Sequence, residues 1–162
     1  MIKLNVRETT LEDAAPLKIW LSDSYVLRFF PMFDEREIDD AVRVWIHYSK
    51  IGAGLTIECD GIACGMANLY IQPFKKLAHQ CLFSVIVADG YRGKGVGRTL
   101  LEALKKHAKE KFQIEILHLE VYAGNPAIHL YRKVGFHEFG CQNHFIKDQG
   151  EYIGKIFMQQ IL

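Results

Sequence analysis

The stretch VADGYRGKGVGRTL, Val87 to Leu100, constrains this chain more than any other: an apolar run breaks into Gly90, Gly93, Gly95 and Gly97, crowded around Arg92, Lys94 and Arg98. Before it, HQCLFSVIVAD (His79 to Asp89) runs apolar through its centre with little alternation, which predicts a strand buried on both faces. After it, Val96, Leu100, Leu101, Leu104 and Ala108 recur at helical spacing, with Lys105, Lys106 and Lys109 expected on the wet side. Strand, glycine loop and helix therefore stand in series. A helix N-terminus carries unsatisfied N–H groups and partial positive charge, and glycine lets the backbone come close to an anion. Arg92, Lys94 and Arg98 add charge-assisted donors for the outer oxygens, so the loop reads as a phosphate site rather than a simple connection.

The glycines fall as Gly93-x-Gly95-x-Gly97, not GxGxxG, and no acidic partner follows at the usual distance, which disfavours a dinucleotide. A nucleotide-binding oxidoreductase is accordingly the weaker reading. No Gly-Lys-Ser/Thr triplet closes a P-loop either.

The rest of the chain reads as one domain over 1–162. IKLNVRE (Ile2 to Glu8) alternates as a strand, and Thr9 with Glu12 has capping-box spacing ahead of a short helix through Leu17 and Trp20. Ser22 to Phe33 is aromatic and irregular. A second amphipathic helix starts near Asp34, with Ile38, Ala41, Val42, Trp45 and Ile46 as its apolar stripe. Gly54 to Ile71 reads as a hairpin turning at Asp60-Gly61. Glu115 to Gly124 is a strand, a short helix opens at Pro126 and stops at Gly135, and two last strands (Phe136 to Lys147, Tyr152 to Ile161) meet at Asp148-Gln149-Gly150. The order predicts an α+β (mixed α/β) fold with a mixed central sheet flanked by helices.

Lys plus Arg number 20 against 19 Asp plus Glu, so there is no broad field for nucleic acid or an anionic membrane. No signal-like N-terminus or membrane-length apolar run is visible, and a cytoplasmic location is expected. The four cysteines form no CxxC pair and the seven histidines no HExxH, so buried free thiols and no metal are expected.

Arg92-Gly93-Lys94-Gly95-Val96-Gly97 resembles the R/Q-x-x-G-x-G/A signature of the GNAT superfamily of N-acetyltransferases, and AIHLYRKVGF (Ala127 to Phe136) resembles that family's A-x-x-L-Y-x-x-x-G-F motif. VRETTLEDAAPL and the tail DQGEYIGKIFM resemble its first and last elements, so the resemblance covers essentially the whole chain. It implies a sheet splayed beside the glycine loop, acetyl-coenzyme A (acetyl-CoA) as co-substrate, and pyrophosphate held by Arg92 to Arg98. The backbone of Val85, Ile86 and Val87, on a bulged strand, would meet the pantetheine arm and thioester, and one of its N–H groups would stabilise the oxyanion.

By the same resemblance, Tyr131 sits where the family places the hydroxyl that protonates the departing thiolate; packing alone is the competing role. The family's Asn precedes its Tyr by seven residues, whereas Asn125 precedes Tyr131 by six, so either Asn125 or Gly124 fills the Asn position. The strand Gln80 to Val87 has no Asp or Glu where many relatives place a base. Glu120, which alternation puts on one face with His118 and Tyr122, is the leading candidate, with His79 and Ser84 behind it and an ion pair as its other role.

The acceptor side is expected among Trp20, Tyr25, Phe29, Phe30 and Phe33, with Asp34, Glu35, Asp39 and Asp40 available to attract an amine or simply to open a helix. The implied activity is direct acetyl transfer to a primary amine of a small molecule (amino acid, polyamine or antibiotic type). The alternatives are a protein or peptide N-acetyltransferase and a non-catalytic acyl-CoA sensor. The partners implied are a small-molecule amine acceptor and, as an open option, a second copy of the chain in a homodimer.

Overall fold

The computed structural model describes residues 2–162. Seven strands, β1 (Leu4–Glu8), β2 (Gly54–Cys59), β3 (Ile62–Tyr70), β4 (Gln80–Val87), β5 (Ile116–Tyr122), β6 (His137–Asp148) and β7 (Glu151–Ile161), form one sheet in the order β1-β2-β3-β4-β5-β7-β6. All neighbours are antiparallel except β4 and β5, so the sheet is mixed as expected. Helices α1 (Ala14–Leu21), α2 (Ser24–Leu27), α3 (Glu35–Ser49), α4 (Val96–Phe112) and α5 (Ala127–Lys133) supply its cover.

Strand alternation divides the core in two. One set of side chains, including Phe83, Leu117, Leu119 and Met158, packs against Leu100, Leu101 and Leu104 of α4 and Val134 and Phe136 at the end of α5. The other, Met66 and Ile86, packs against Leu17, Leu21, Ile38 and Trp45 of α1 and α3. β4 thus contributes to both cores, which is why its sequence does not alternate.

Local signals placed most elements. Asp34 caps α3 by accepting the Glu37 N–H at 2.9 Å. Asp60 and Gly61 both take positive φ (51° and 84°), the requirement of a tight two-residue hairpin. Gly135 ends α5 at φ 103°.

Three expectations change. The N-terminal cap lies one residue later: the Thr10 N–H donates to Asp13 Oδ2 at 2.8 Å, while Thr9 is buried with its hydroxyl 3.0 Å from that of Thr56. The register is decided by Arg7, whose Nη1 and Nη2 reach the two Asp13 oxygens at 2.8 and 3.0 Å and whose Nε reaches Glu58 at 2.6 Å. Second, Lys105 is not on the wet side; its ammonium donates to the Val134 carbonyl at 2.9 Å and pairs with Glu102, tying α4 to the end of α5. Third, β4 carries no bulge against β3, the register running unbroken from Gly65–Val87 to Tyr70–Leu82.

Candidate active site

The sheet opens at one seam. β4 and β5 pair only at Gln80–Ile116, Cys81–Leu117 and Leu82–His118, and then diverge although both strands continue. The Ala88 N–H bonds the Cys64 carbonyl at 2.8 Å, so alternation turns the backbone groups of Ser84 and Ile86 to β3 and those of Val85 and Val87 to the open seam. From the far side, Ala123 bonds Gly154 on the β7 side, so Glu120 and Tyr122 direct their backbone groups into the same gap. Of the three residues expected to meet a ligand through backbone, Ile86 is therefore committed to the β3 ladder, and its side chain is buried.

At the C-terminal end of β4 the glycine loop delivers the chain to α4. Gly95 is the N-cap at φ 83°, a conformation that side chains resist, and beyond its own stretch of chain no atom lies within 4 Å of where its Cβ would stand. The Thr99 N–H makes the first intrahelical bond, to the Gly95 carbonyl at 3.0 Å, so the N–H groups of Val96, Gly97 and Arg98 precede any helical acceptor. The Val96 side chain is buried in the core, leaving its N–H as its contribution to the site.

Gly97 is small for a different reason than ligand access: a Cβ there would stand 3.0 Å from Leu130 Cδ2 and 3.6 Å from Val87 Cγ2, where α4, α5 and β4 converge. Lys94 and Arg98 are exposed. Arg92 is partly engaged, donating from Nε to the Val87 carbonyl at 3.0 Å with its guanidinium 5.4 Å from the Tyr25 ring centre.

A cleft of about 860 Å³ follows the seam and joins these parts, lined by Val85, Val87, Arg92, Gly93, Gly97, Glu120, Asn125 and Tyr131 among others. Tyr131 is buried (8% exposed), its ring edge-on to Phe83 and Phe136. Burial raises its hydroxyl well above the ordinary phenol range, so it stays protonated at neutral pH. Tyr122 is pushed up to about 12 by burial and then by the Glu120 charge.

Asn125 uses its side-chain carbonyl to cap α5, accepting the Ala127 N–H at 3.0 Å, while its own N–H closes a turn onto Tyr122 at 3.1 Å through Gly124 at φ 86°. Asn125 lines the cleft with its side-chain NH2 uncommitted to that cap.

Glu120 does line the cleft, and its carboxylate is 2.5 Å from Lys155 Nζ of β7, which in turn sits 3.5 Å from the Phe145 ring centre. His118, on the same face, has its ring nitrogen 2.5 Å from Gln80 Oε1, and burial holds its pKa below the ordinary imidazole range. Lys155 and Phe145 were not singled out by the sequence reading, nor was the contact between the Tyr70 and Ser84 hydroxyls (3.0 Å) in the cleft.

Of the expected aromatics, Tyr25, Phe29 and Phe30 line the cleft, Trp20 packs with the α1–α3 core, and Phe33 is 83% exposed outside it. The acidic residues stand elsewhere: Glu35 and Asp39 pair with Lys18, Asp40 with Arg43, and Asp34 caps α3.

Among the described residues, no group of three or more His, Cys, Asp or Glu could hold a metal ion, and no helix is long and apolar enough to cross a membrane. Cys59, Cys64 and Cys81 are buried free thiols, whereas Cys141 is exposed.

Residues 16–136 match the acetyltransferase (GNAT) family model, and the chain belongs to that family. Over 89 residues it is 39% identical to an N-alpha-acetyltransferase of Sulfurisphaera tokodaii, a match covering 54% of this chain and 52% of the relative. The match thus spans about half the length of that relative. Among solved structures, the ribosomal-protein-alanine N-acetyltransferase of Brucella melitensis superposes with a TM-score of 0.80 at 30% identity, covering 98% of this chain and 99% of the other. The fold is also that of yncA from Salmonella typhimurium, solved with its cofactor acetyl-CoA (TM-score 0.82, 22% identity, 98% and 94% covered). Other relatives are named for L-amino acids and for spermidine.

Proposed function

We propose that the chain is an acetyl-CoA-dependent N-acetyltransferase that carries acetyl directly to a primary amine of a small molecule in a ternary complex. The observation that carries this reading is the open β4/β5 seam leading to the N–H groups that open α4. An extended amide-bearing arm is bonded by the seam backbone as an added strand would be, and the pyrophosphate by Val96, Gly97 and Arg98 N–H groups with the Lys94, Arg98 and Arg92 side chains around it.

Chemically, the amine nitrogen attacks the acetyl carbonyl, an N–C bond forms, and the oxygen becomes an oxyanion met by a seam N–H from Val85 or Val87. Collapse of the intermediate breaks the C–S bond. Tyr131, protonated at neutral pH, gives its proton to the leaving sulfur and recovers one from solvent. The proton lost by the amine passes through water to Glu120, a role that requires the Lys155 contact to loosen or share.

That contact is also the observation favouring a second reading, an acyl-CoA-binding sensor, since it occupies the leading candidate base. A protein or peptide acceptor is the alternative within the same chemistry, supported by relatives named for such substrates. The test is acetyl-CoA consumption by the purified protein against amino acids, polyamines, aminoglycosides and short peptides. Amine-dependent acetylated product is expected; CoA binding without product from any amine would favour the sensor.

A further inference from the structure

Between the seam and helix α3, the acceptor half of the cleft is walled by Phe29, Phe30, Met32, Val44 and Trp45. Its polar groups are few, chiefly the bonded Tyr70–Ser84 hydroxyls and the Glu120–Lys155 pair.

Among the described residues Glu120 is the single carboxylate in the cleft lining, and Lys155 pairs with its Oε2 at 2.5 Å. Lys155 is itself 8% exposed and lies over the Phe145 ring, which holds it beside Glu120 in the resting site. The other cation of the lining, Arg92, adds positive charge. The carboxylates of the N-terminal region, which would otherwise draw a polycation, are tied to Lys18, Arg43 and a helix cap on the outside of α3. An acceptor carrying a second ammonium would have to shed water there with no uncompensated carboxylate to receive it. An uncharged apolar body loses nothing comparable and gains by burial against the aromatic wall.

We propose that the acceptor of this site is a primary amine carried on an apolar body with no second positive charge, and that polyamines are excluded from it. This rests on the acetyltransferase reading above and sharpens it to one class of amine.

The test compares matched acceptors, hexylamine against 1,6-diaminohexane and L-leucinamide against L-lysinamide, in which the reacting amine is retained and a second ammonium is added. Acetylated product is measured by mass spectrometry with acetyl-CoA as donor, and CoA binding is measured by calorimetry on the same preparation. The apolar member of each pair is expected to have the higher kcat/KM by about tenfold or more, from the desolvation of one unpaired charge. Val44→Asp, at a position 46% exposed and so tolerant of charge, is expected to narrow both ratios by improving the dications. Ratios near one, a preference for the dications, or ratios unmoved by Val44→Asp would overturn the proposal while leaving acetyl transfer intact. A protein that fails to bind CoA would instead defeat the acetyltransferase reading beneath it.

Discussion

Replacing Tyr131 by Phe isolates one hydroxyl from the rest of the site. The ring keeps its edge contacts with Phe83 and Phe136, each at 6.4 Å between centres, and its near-complete burial. Among the described residues no side chain or backbone group bonds that hydroxyl, so the fold loses little: a change within about 1 kcal/mol, or roughly 2–4 °C in Tm, is expected. The catalytic consequence is far larger. A positioned general acid is worth about 10²–10⁴ in rate, which corresponds to roughly 3–5 kcal/mol of barrier. Because burial raises the Tyr131 pKa, the acid form persists through neutral and mildly alkaline pH, and the wild-type rate should show no Tyr131-dependent fall below about pH 9. Steady-state transfer, CoA affinity by calorimetry and thermal unfolding together make the assay. A fall in kcat with CoA affinity and Tm retained is expected. A kcat within about threefold of wild type, with CoA bound equally, would reduce Tyr131 to packing and refute the argument.

Asp13 is held below the usual carboxylate range: burial alone would raise it, but the Arg7, Thr10 and Thr56 hydrogen bonds and the Arg7 charge outweigh that. A depressed folded pKa stabilises above the unfolded value near 4 and that contribution is lost as pH falls through the folded one, so wild-type stability should drop below about pH 4. Asp13→Asn should flatten that drop and cost about 1–3 kcal/mol at pH 7 by chemical denaturation, less than a fully buried pair because Arg7 is partly exposed; an unchanged acid profile would contradict the network. Burial pushes Cys64 up to about 11 and Cys81 up to about 12, and Cys59 is buried as well, so at pH 8 a disulfide reagent should titrate Cys141 alone in the native protein, and all four thiols after unfolding. Rapid modification of more than one native thiol would contradict the packing around β2, β3 and β4.

The parts legible in the sequence were those set by neighbours in the chain. The buried strand, the glycine loop and α4 follow one another, so apolar pattern, φ requirements and helix periodicity located them without tertiary information. The turns at Asp60-Gly61 and Gln149-Gly150 were legible for the same reason. What escaped was decided by pairing between distant segments. Thr9–Glu12 and Thr10–Asp13 offer the same capping spacing, and the tie is broken by Arg7 and Thr56, which no local pattern reports. Lys155 meets Glu120 only because β7 inserts beside β5, and Gly97 reads as ligand access until α5 brings Leu130 against it. The backbone alternation of β4, which turns Val85 and the Val87 N–H to the seam but not Ile86, depends on the β3 register and so lay equally beyond the sequence.

That alternation gives the account its most direct test. In a 15N-labelled sample titrated with CoA, the amide resonances of Val85, Val87, Val96, Gly97 and Arg98 should move most, while those of Ser84 and Ile86, bonded to β3, move less. Saturable shifts centred on this set would place the pantetheine arm in the seam and the pyrophosphate on α4. Shifts centred elsewhere, or none at millimolar CoA, would contradict the site as described.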